Sequence, residues 1–202
     1  MTTILHIDSS ILGDHSTSRM LSAEIVARQQ ALHAGAKVIH RDLAADGAMH
    51  LSGAHLAVFQ GAAAGSPALG DDVATGGAYL AELLAADVIV IGAPMYNFSV
   101  PSQLKGWIDR VCVAGSTFRY TANGPEGLLT AKRVLIASTR GGIYSHGPAA
   151  ALEHQESYLR TALAFIGITD VTIIRAEGLN LGDDSKAAAL AGAKAQIAAL
   201  AA

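Results

Sequence analysis

Short, nearly unbroken apolar runs alternate along this chain with longer stretches of helical period. Ile4–Ile7 reads as a first strand and Ser18–Ala34 as an amphipathic helix. Lys37–His40 reads as a second strand. From Asp42 to Gly77 the pattern fades into Ala and Gly, with little periodicity after Gly61; a short helix near Ala54–Gln60 and a loop are expected there. Tyr79–Ala86 is helical in pattern. Asp87–Gly92 is the clearest strand, β-branched and continuous, as strands buried on both faces are. Pro101–Val111 is a helix with proline at its start, where the missing N–H costs nothing. Arg133–Ala137 is a fourth strand, Leu152–Phe165 a helix stopped by Gly167, Val171–Ile174 a fifth strand, and Lys186–Ala201 an Ala-rich helix. Five strands separated mostly by helices predict an α/β domain over residues 1–202, a parallel sheet with helices on both faces. A sheet of this size commonly has the order 2-1-3-4-5.

Open parallel sheets bind ligands beyond the carboxyl ends of their strands, where the strand order reverses. In that order strands 1, 3 and 4 are neighbours, and the segments that follow them have unusual composition. The first, from Ser9 to Arg19, carries Ser10, Ser16, Thr17 and Ser18 and leads into a helix, whose N-terminal amides and dipole suit an anion. Such hydroxyls are also ordinary helix caps. The loop is neither a Walker loop nor a dinucleotide Gly fingerprint, so neutral hydroxyls and amides would hold a monophosphate without a metal. The second, Pro94-Met95-Tyr96-Asn97-Phe98, is apolar and aromatic where loops are usually polar, as a planar heteroaromatic ring requires; a local plug over the sheet end is the plainer reading. The third, Thr139-Arg140-Gly141-Gly142, has paired glycines that let backbone amides approach a ligand or simply make a turn.

Composition narrows the field. Fourteen Lys and Arg against seventeen Asp and Glu leave a net charge of -3, with no basic footprint for nucleic acid and no polybasic membrane patch. No apolar run reaches the about 18 residues of a membrane span, and no signal-peptide pattern opens the chain, so a cytoplasmic location is expected. The single cysteine, Cys112, excludes an internal disulfide and a Cys-based metal cluster, and the eight histidines lack zinc-site spacing, so no metal is expected.

Six stretches together resemble one family: Ser9-Ser10-Ile11-Leu12 with Ser16-Thr17-Ser18; Ala93 to Phe98; Thr117-Phe118-Arg119-Tyr120-Thr121; Asn123 to Leu128; Arg140-Gly141-Gly142; and Phe165 to Asp170. The combination is similar to the FMN-dependent NADH-azoreductases, or NADH:quinone oxidoreductases, of the flavodoxin-like superfamily. The resemblance implies a flavodoxin-like three-layer sandwich and FMN contacts at Ser10, Ser16, Thr17, Ser18, Met95, Tyr96, Asn97, Phe98, Thr139, Arg140, Gly141 and Gly142. It implies a homodimer with its active sites at the interface, and a ping-pong reaction in which NADH is the donor and quinones or azo compounds are the acceptors. Phe118, Tyr120 and Tyr144 are candidates for the substrate pocket. No catalytic triad is expected, because the flavin carries the chemistry and the protein orients it. Thr139 stands where the family often has Ser, and the Ala/Gly-rich segment Gln60–Asp72 differs from the family's more polar loop. A flavodoxin-type electron carrier is the alternative, which an acidic docking face would favour, and a flavin-free signalling domain a third, which an Asp-rich metal pocket would favour.

Overall fold

A computed structural model describes residues 1–201. Five strands form a parallel sheet: β1 (Thr3–Asp8), β2 (Lys37–Asp42), β3 (Val88–Pro94), β6 (Arg133–Thr139) and β7 (Asp170–Ala176), in the order β2-β1-β3-β6-β7. The two missing numbers belong to an antiparallel hairpin, β4 (Phe118–Thr121) and β5 (Gly124–Gly127), which apolar runs do not announce. Its base docks on the turn after α5 (Glu156–Phe165): a Cβ on Gly127 would lie 2.1 Å from the Gly167 nitrogen, so the two backbones touch only because both residues are glycine.

Alternation along the strands sends side chains into two cores. Leu5, Ile7, Ile89, Ile91, Val134 and Ile136 meet Tyr79 and Leu83 of α3 (Pro67–Ala85), Leu104 and Trp107 of α4 (Ser102–Val111), and Leu159 of α5. Ile4, Val88, Val90, Leu135 and Ile174 meet Leu21 and Ile25 of α1 (Thr17–Leu32) and Ala193 and Ile197 of α6 (Asp183–Ala198). β3 is buried along its whole length, and each large side chain there stabilises the fold by about 1.5–3 kcal/mol.

Three expectations change. A helix occupies most of the stretch expected to be a loop: α2 (Gly53–Phe59) is short, but α3 starts at Pro67, capped by the Ser66 side chain on the Leu69 amide at 3.2 Å. One of the glycines that hid its period, Gly76, serves packing. A Cβ on Gly76 would lie 3.1 Å from Arg110 Cδ of α4. The helix expected from Leu152 begins only at Glu156, after a 3-10 turn over Pro148–Leu152, and the last helix runs from Asp183 rather than Lys186.

The register brings the strand ends together. Asp8 pairs with Gly92, Pro94 with Thr139, and Thr139 with Ala176. The loops after β1, β3, β6 and β7 therefore emerge side by side.

Candidate functional site

In the first loop, Ser9 is fully buried and donates its hydroxyl to the Gly92 carbonyl at 2.7 Å, a lock between β1 and β3. Ser10, fully buried like Ser9, turns to the second loop, its hydroxyl 3.1 Å from the Tyr96 hydroxyl, which accepts from the Ile11 amide at 3.2 Å. Ser16 caps α1: its Oγ accepts from the Arg19 amide at 3.3 Å and lies 3.0 Å from the Ser18 Oγ. Thr17, half-buried, opens the helix, and its neighbours in the first turn have no intrahelical partner for their N–H groups.

The second loop is a tight turn. Tyr96 and Ser99 exchange backbone hydrogen bonds of 3.0 and 3.1 Å around Asn97 and Phe98, which lie at φ +48° and +74°. Turns with two positive φ values favour Asn-Gly. A phenylalanine in this region costs about 1–3 kcal/mol, and such strain gathers at functional sites. The Phe98 ring is 44% exposed and meets the Tyr144 ring edge-on, centroids 6.2 Å apart. The Met95 amide is spent on the Thr139 carbonyl at 2.8 Å.

The third loop is anchored at Arg140. Its amide donates to the Ala176 carbonyl at 3.0 Å, and its side chain, fully buried, turns inward. The guanidinium pairs with Glu156, lies 3.3 Å from Glu153 and 3.7 Å from Glu177. Arg175 closes the group, reaching both Glu156 oxygens at 2.9 and 2.6 Å. Burial alone would raise the Glu156 carboxyl. The Arg175 hydrogen bonds, the Arg140 charge and the Ser138 hydroxyl outweigh it and hold the group below the ordinary carboxylate range. Burial likewise opposes, and hydrogen bonds from the Ser145 hydroxyl and the Tyr144 and Ser145 amides overcome, so that Glu177 is also held low. Arg140 thus supports the loop from below.

The glycines that follow have neighbours of their own. A Cβ on Gly141 would lie 2.5 Å from Asn180 Nδ2, and one on Gly142 would lie 3.1 Å from the Tyr144 ring. The carbonyls of Arg140, Gly141 and Gly142 accept from Leu179, Asn180 and Gly178, the loop after β7, at 2.9–3.1 Å.

These loops enclose two connected hollows. One, about 360 Å³, lies between the start of α1 and the third loop and is lined by Ser10, Ser16, Thr17, Thr139, Asn180 and Lys186. The other, about 410 Å³, is walled by Phe98, Tyr144, Gly142 and Leu181. Met95, Gly141 and Asn180 border both, so the two hollows adjoin and together form a groove reaching from a helix N-terminus to an aromatic pair. That sequence of donors suits a molecule with a phosphate at one end and a planar ring at the other. A larger cavity of about 530 Å³ lies on the other side of the Tyr96–Asn97 turn, beside Ile11, Val100, Tyr158 and the first turn of α4, without the glycine-flanked loop or the hydroxyl-rich start of α1.

The structure therefore gathers Ser10, Ser16, Thr17, Met95, Tyr96, Asn97, Phe98, Thr139, Arg140, Gly141, Gly142 and Tyr144 around this groove, with Ser18 bonded behind Ser16. Phe118 and Tyr120 lie elsewhere: Phe118 is buried against Phe165 at the far end of α5, and Tyr120, 76% exposed, stands on the hairpin. Asn180 and Lys186 were not foreseen. The Gly178-Leu179-Asn180-Leu181-Gly182 run after the fifth strand was their signal, because it too ends a strand on the same side of the sheet.

Residues 2–201 match the family described as having a flavodoxin-like fold. A relative from Sinorhizobium fredii named FMN-dependent NADH:quinone oxidoreductase is 60% identical over 195 residues, spanning 96% of this chain and 95% of its own. Among solved structures, an azoreductase from Bacillus anthracis superposes with a TM-score of 0.87 at 28% identity, covering 98% of this chain and 97% of that one. An FMN-dependent NADH-azoreductase from the same species, solved in complex with FMN, has a TM-score of 0.87 at 25% identity, covering 98% and 96%.

Proposed function

Because the chain belongs to the flavodoxin-like family of FMN-dependent NADH:quinone oxidoreductases, we propose that it binds FMN in the groove described above and uses NADH to reduce quinones to hydroquinones and aromatic azo compounds to amines. The observation that carries this reading is the continuity of the groove from the α1 N-terminus to Phe98 and Tyr144. When bound, FMN would supply hydride chemistry between NADH and the acceptor, and a groove that admits the two in turn would give ping-pong kinetics.

The chain's own residues bind and orient. The Ser16–Ser18 turn offers amides and hydroxyls to a phosphate, and Lys186 lines the same hollow with a positive charge. Met95, Asn97 and Phe98 present apolar surface and an amide side chain to the ring. Gly141 and Gly142 keep the opposite wall thin enough for backbone amides to approach the ring's polar edge, where negative charge gathers on reduction. Tyr144 closes the mouth against Phe98.

Two further parts of the reading concern assembly. The domain is a single unit over 1–202, and it works as a homodimer. Exposed Ile11, Leu12 and Phe98 around the groove support the second point. So does the hairpin, whose exposed Tyr120 lies outside its own chain's groove and is free to serve that of a second copy. No helix among the described residues is long and apolar enough to cross a membrane.

The purified protein should be yellow, with flavin near one per chain after FMN is supplied, and NADH with a quinone should give parallel double-reciprocal lines. A colourless protein that ignores FMN overturns the reading; intersecting lines overturn the entry of donor and acceptor in turn.

A further inference from the structure

On the α1 side of the sheet, β1 and β2 bring three possible metal ligands to one point. His6 and His40 are register partners across the two parallel strands, and Asp8 follows His6 by two residues, so all three side chains leave the sheet on one face. Asp8 Oδ2 lies 3.0 Å from His40 Nε2 and 3.4 Å from His6 Nε2, and the His6 Nε2 also shares the Ser22 hydroxyl at 2.9 Å, a contact that a bound ion would replace. The three ligand atoms lie within 4.8 Å of one another. A tetrahedral zinc ion with bonds of about 2.0–2.1 Å requires ligand atoms about 3.3–3.4 Å apart. Two of the three edges are near that value already, and a swing of the His40 ring, 50% exposed, closes the third.

The surroundings favour a cation. Arg19 is the one cationic side chain among these groups, with Nη1 4.0 Å from Asp8 Oδ2, and it is engaged by both Asp42 oxygens and the Ser10 carbonyl. With both imidazoles neutral, Asp8 and Asp42 against Arg19 leave one negative charge over. Ser22 donates to the other Asp8 oxygen at 2.8 Å and fixes the carboxylate, as outer partners do in metal sites. His6 and Asp8 are nearly buried on a rigid strand, while exposed His40 leaves a way in and room for water as the fourth ligand.

We propose that His6, Asp8 and His40 form a binding site for a divalent transition-metal ion, zinc being the ion whose tetrahedral nitrogen-and-oxygen set they match. The site is independent of the flavin reading. A bound ion would tie the end of β1 to the edge strand β2, immediately before Ser9 and Ser10.

The test is calorimetric titration of zinc chloride into the chelator-treated, flavin-containing protein, with thermal melts in parallel. The wild type should take up zinc at one saturable site and melt higher in excess zinc, since an ion that binds only the folded chain stabilises it. His40→Ala and Asp8→Asn should each weaken that binding by more than about tenfold and abolish the rise in Tm. His33→Ala, at the C-terminal end of α1, should change neither. His40→Gln keeps a polar side chain on the edge strand and carries the test if His40→Ala melts early. No saturable uptake by the wild type, or undiminished uptake by the folded His40 variant, overturns the proposal.

Discussion

The two walls of the groove are held by different physics. On one side the Ser9–Ser18 loop is secured mainly by neutral groups, a hydroxyl on a carbonyl, a hydroxyl on a hydroxyl, and Ser16 capping a helix, with the half-buried Arg19–Asp42 pair adding one charged contact on the Ser10 carbonyl. On the other, the Thr139–Tyr144 loop rests on Arg140, buried among Glu153, Glu156 and Glu177. Neutral caps leave amides available to a ligand and are worth little individually. A buried ion cluster is unforgiving, because removing one member strands the others. The first wall is therefore tuned for binding and the second for shape, and substitutions should separate these roles.

The largest effect should come from Arg140. Arg140→Met should cost about 3–5 kcal/mol of stability, because Glu153 and Glu177 lose their counter-charge and Glu156 keeps only Arg175; urea unfolding measures it. A loss near zero would mean that the cluster adjusts and that the contrast between the walls is false. Gly141→Ala should cost about 1–3 kcal/mol, because its Cβ lands 2.5 Å from Asn180 Nδ2 and one loop must shift. Flavin affinity, read by fluorescence quenching, should fall with it.

A third experiment uses protons. The Glu156 and Glu177 carboxyls are lower in the folded chain than in the unfolded one. Their contribution to stability is thus fully present above the unfolded value of about 4.3 and is lost as pH falls through their lower folded values. Glu177→Gln should flatten that acid loss in urea midpoints taken below about pH 5; an unchanged slope would remove Glu177 from the support. The smallest effect belongs to the first wall. Ser16→Ala should cost only about 1 kcal/mol of stability yet weaken FMN more than riboflavin. Equal losses for both flavins would detach this turn from the phosphate.

Much of this was legible in the chain, for identifiable reasons. Strands buried on both faces are written as runs such as Val88-Ile89-Val90-Ile91, and the loops after them stood out because serines, aromatics or glycines replaced the usual polar mixture. The first half of α3 was not legible, since Gly70, Gly76 and Gly77 erase its period and one of them answers to Arg110, a residue of another helix. The hairpin was legible only as a packing alternative for Phe118 and Tyr120, because Gly124-Pro125-Glu126-Gly127 carries no strand alternation. Arg140 read as a loop residue; its partners Glu156 and Glu177 meet it only through the sheet. His6 and His40 lie 34 positions apart and meet through strand register alone.

The turn at Asn97–Phe98 has a consequence for how this protein changes over generations. Glycine at position 98 would relax the positive φ and free the fold of its strain, so selection for robustness alone would drift there. Selection for turnover would pull the other way, toward a ring against Tyr144. A mutant library enriched first for thermal tolerance and then for quinone reduction should therefore change its preferred residue at this position between the two rounds.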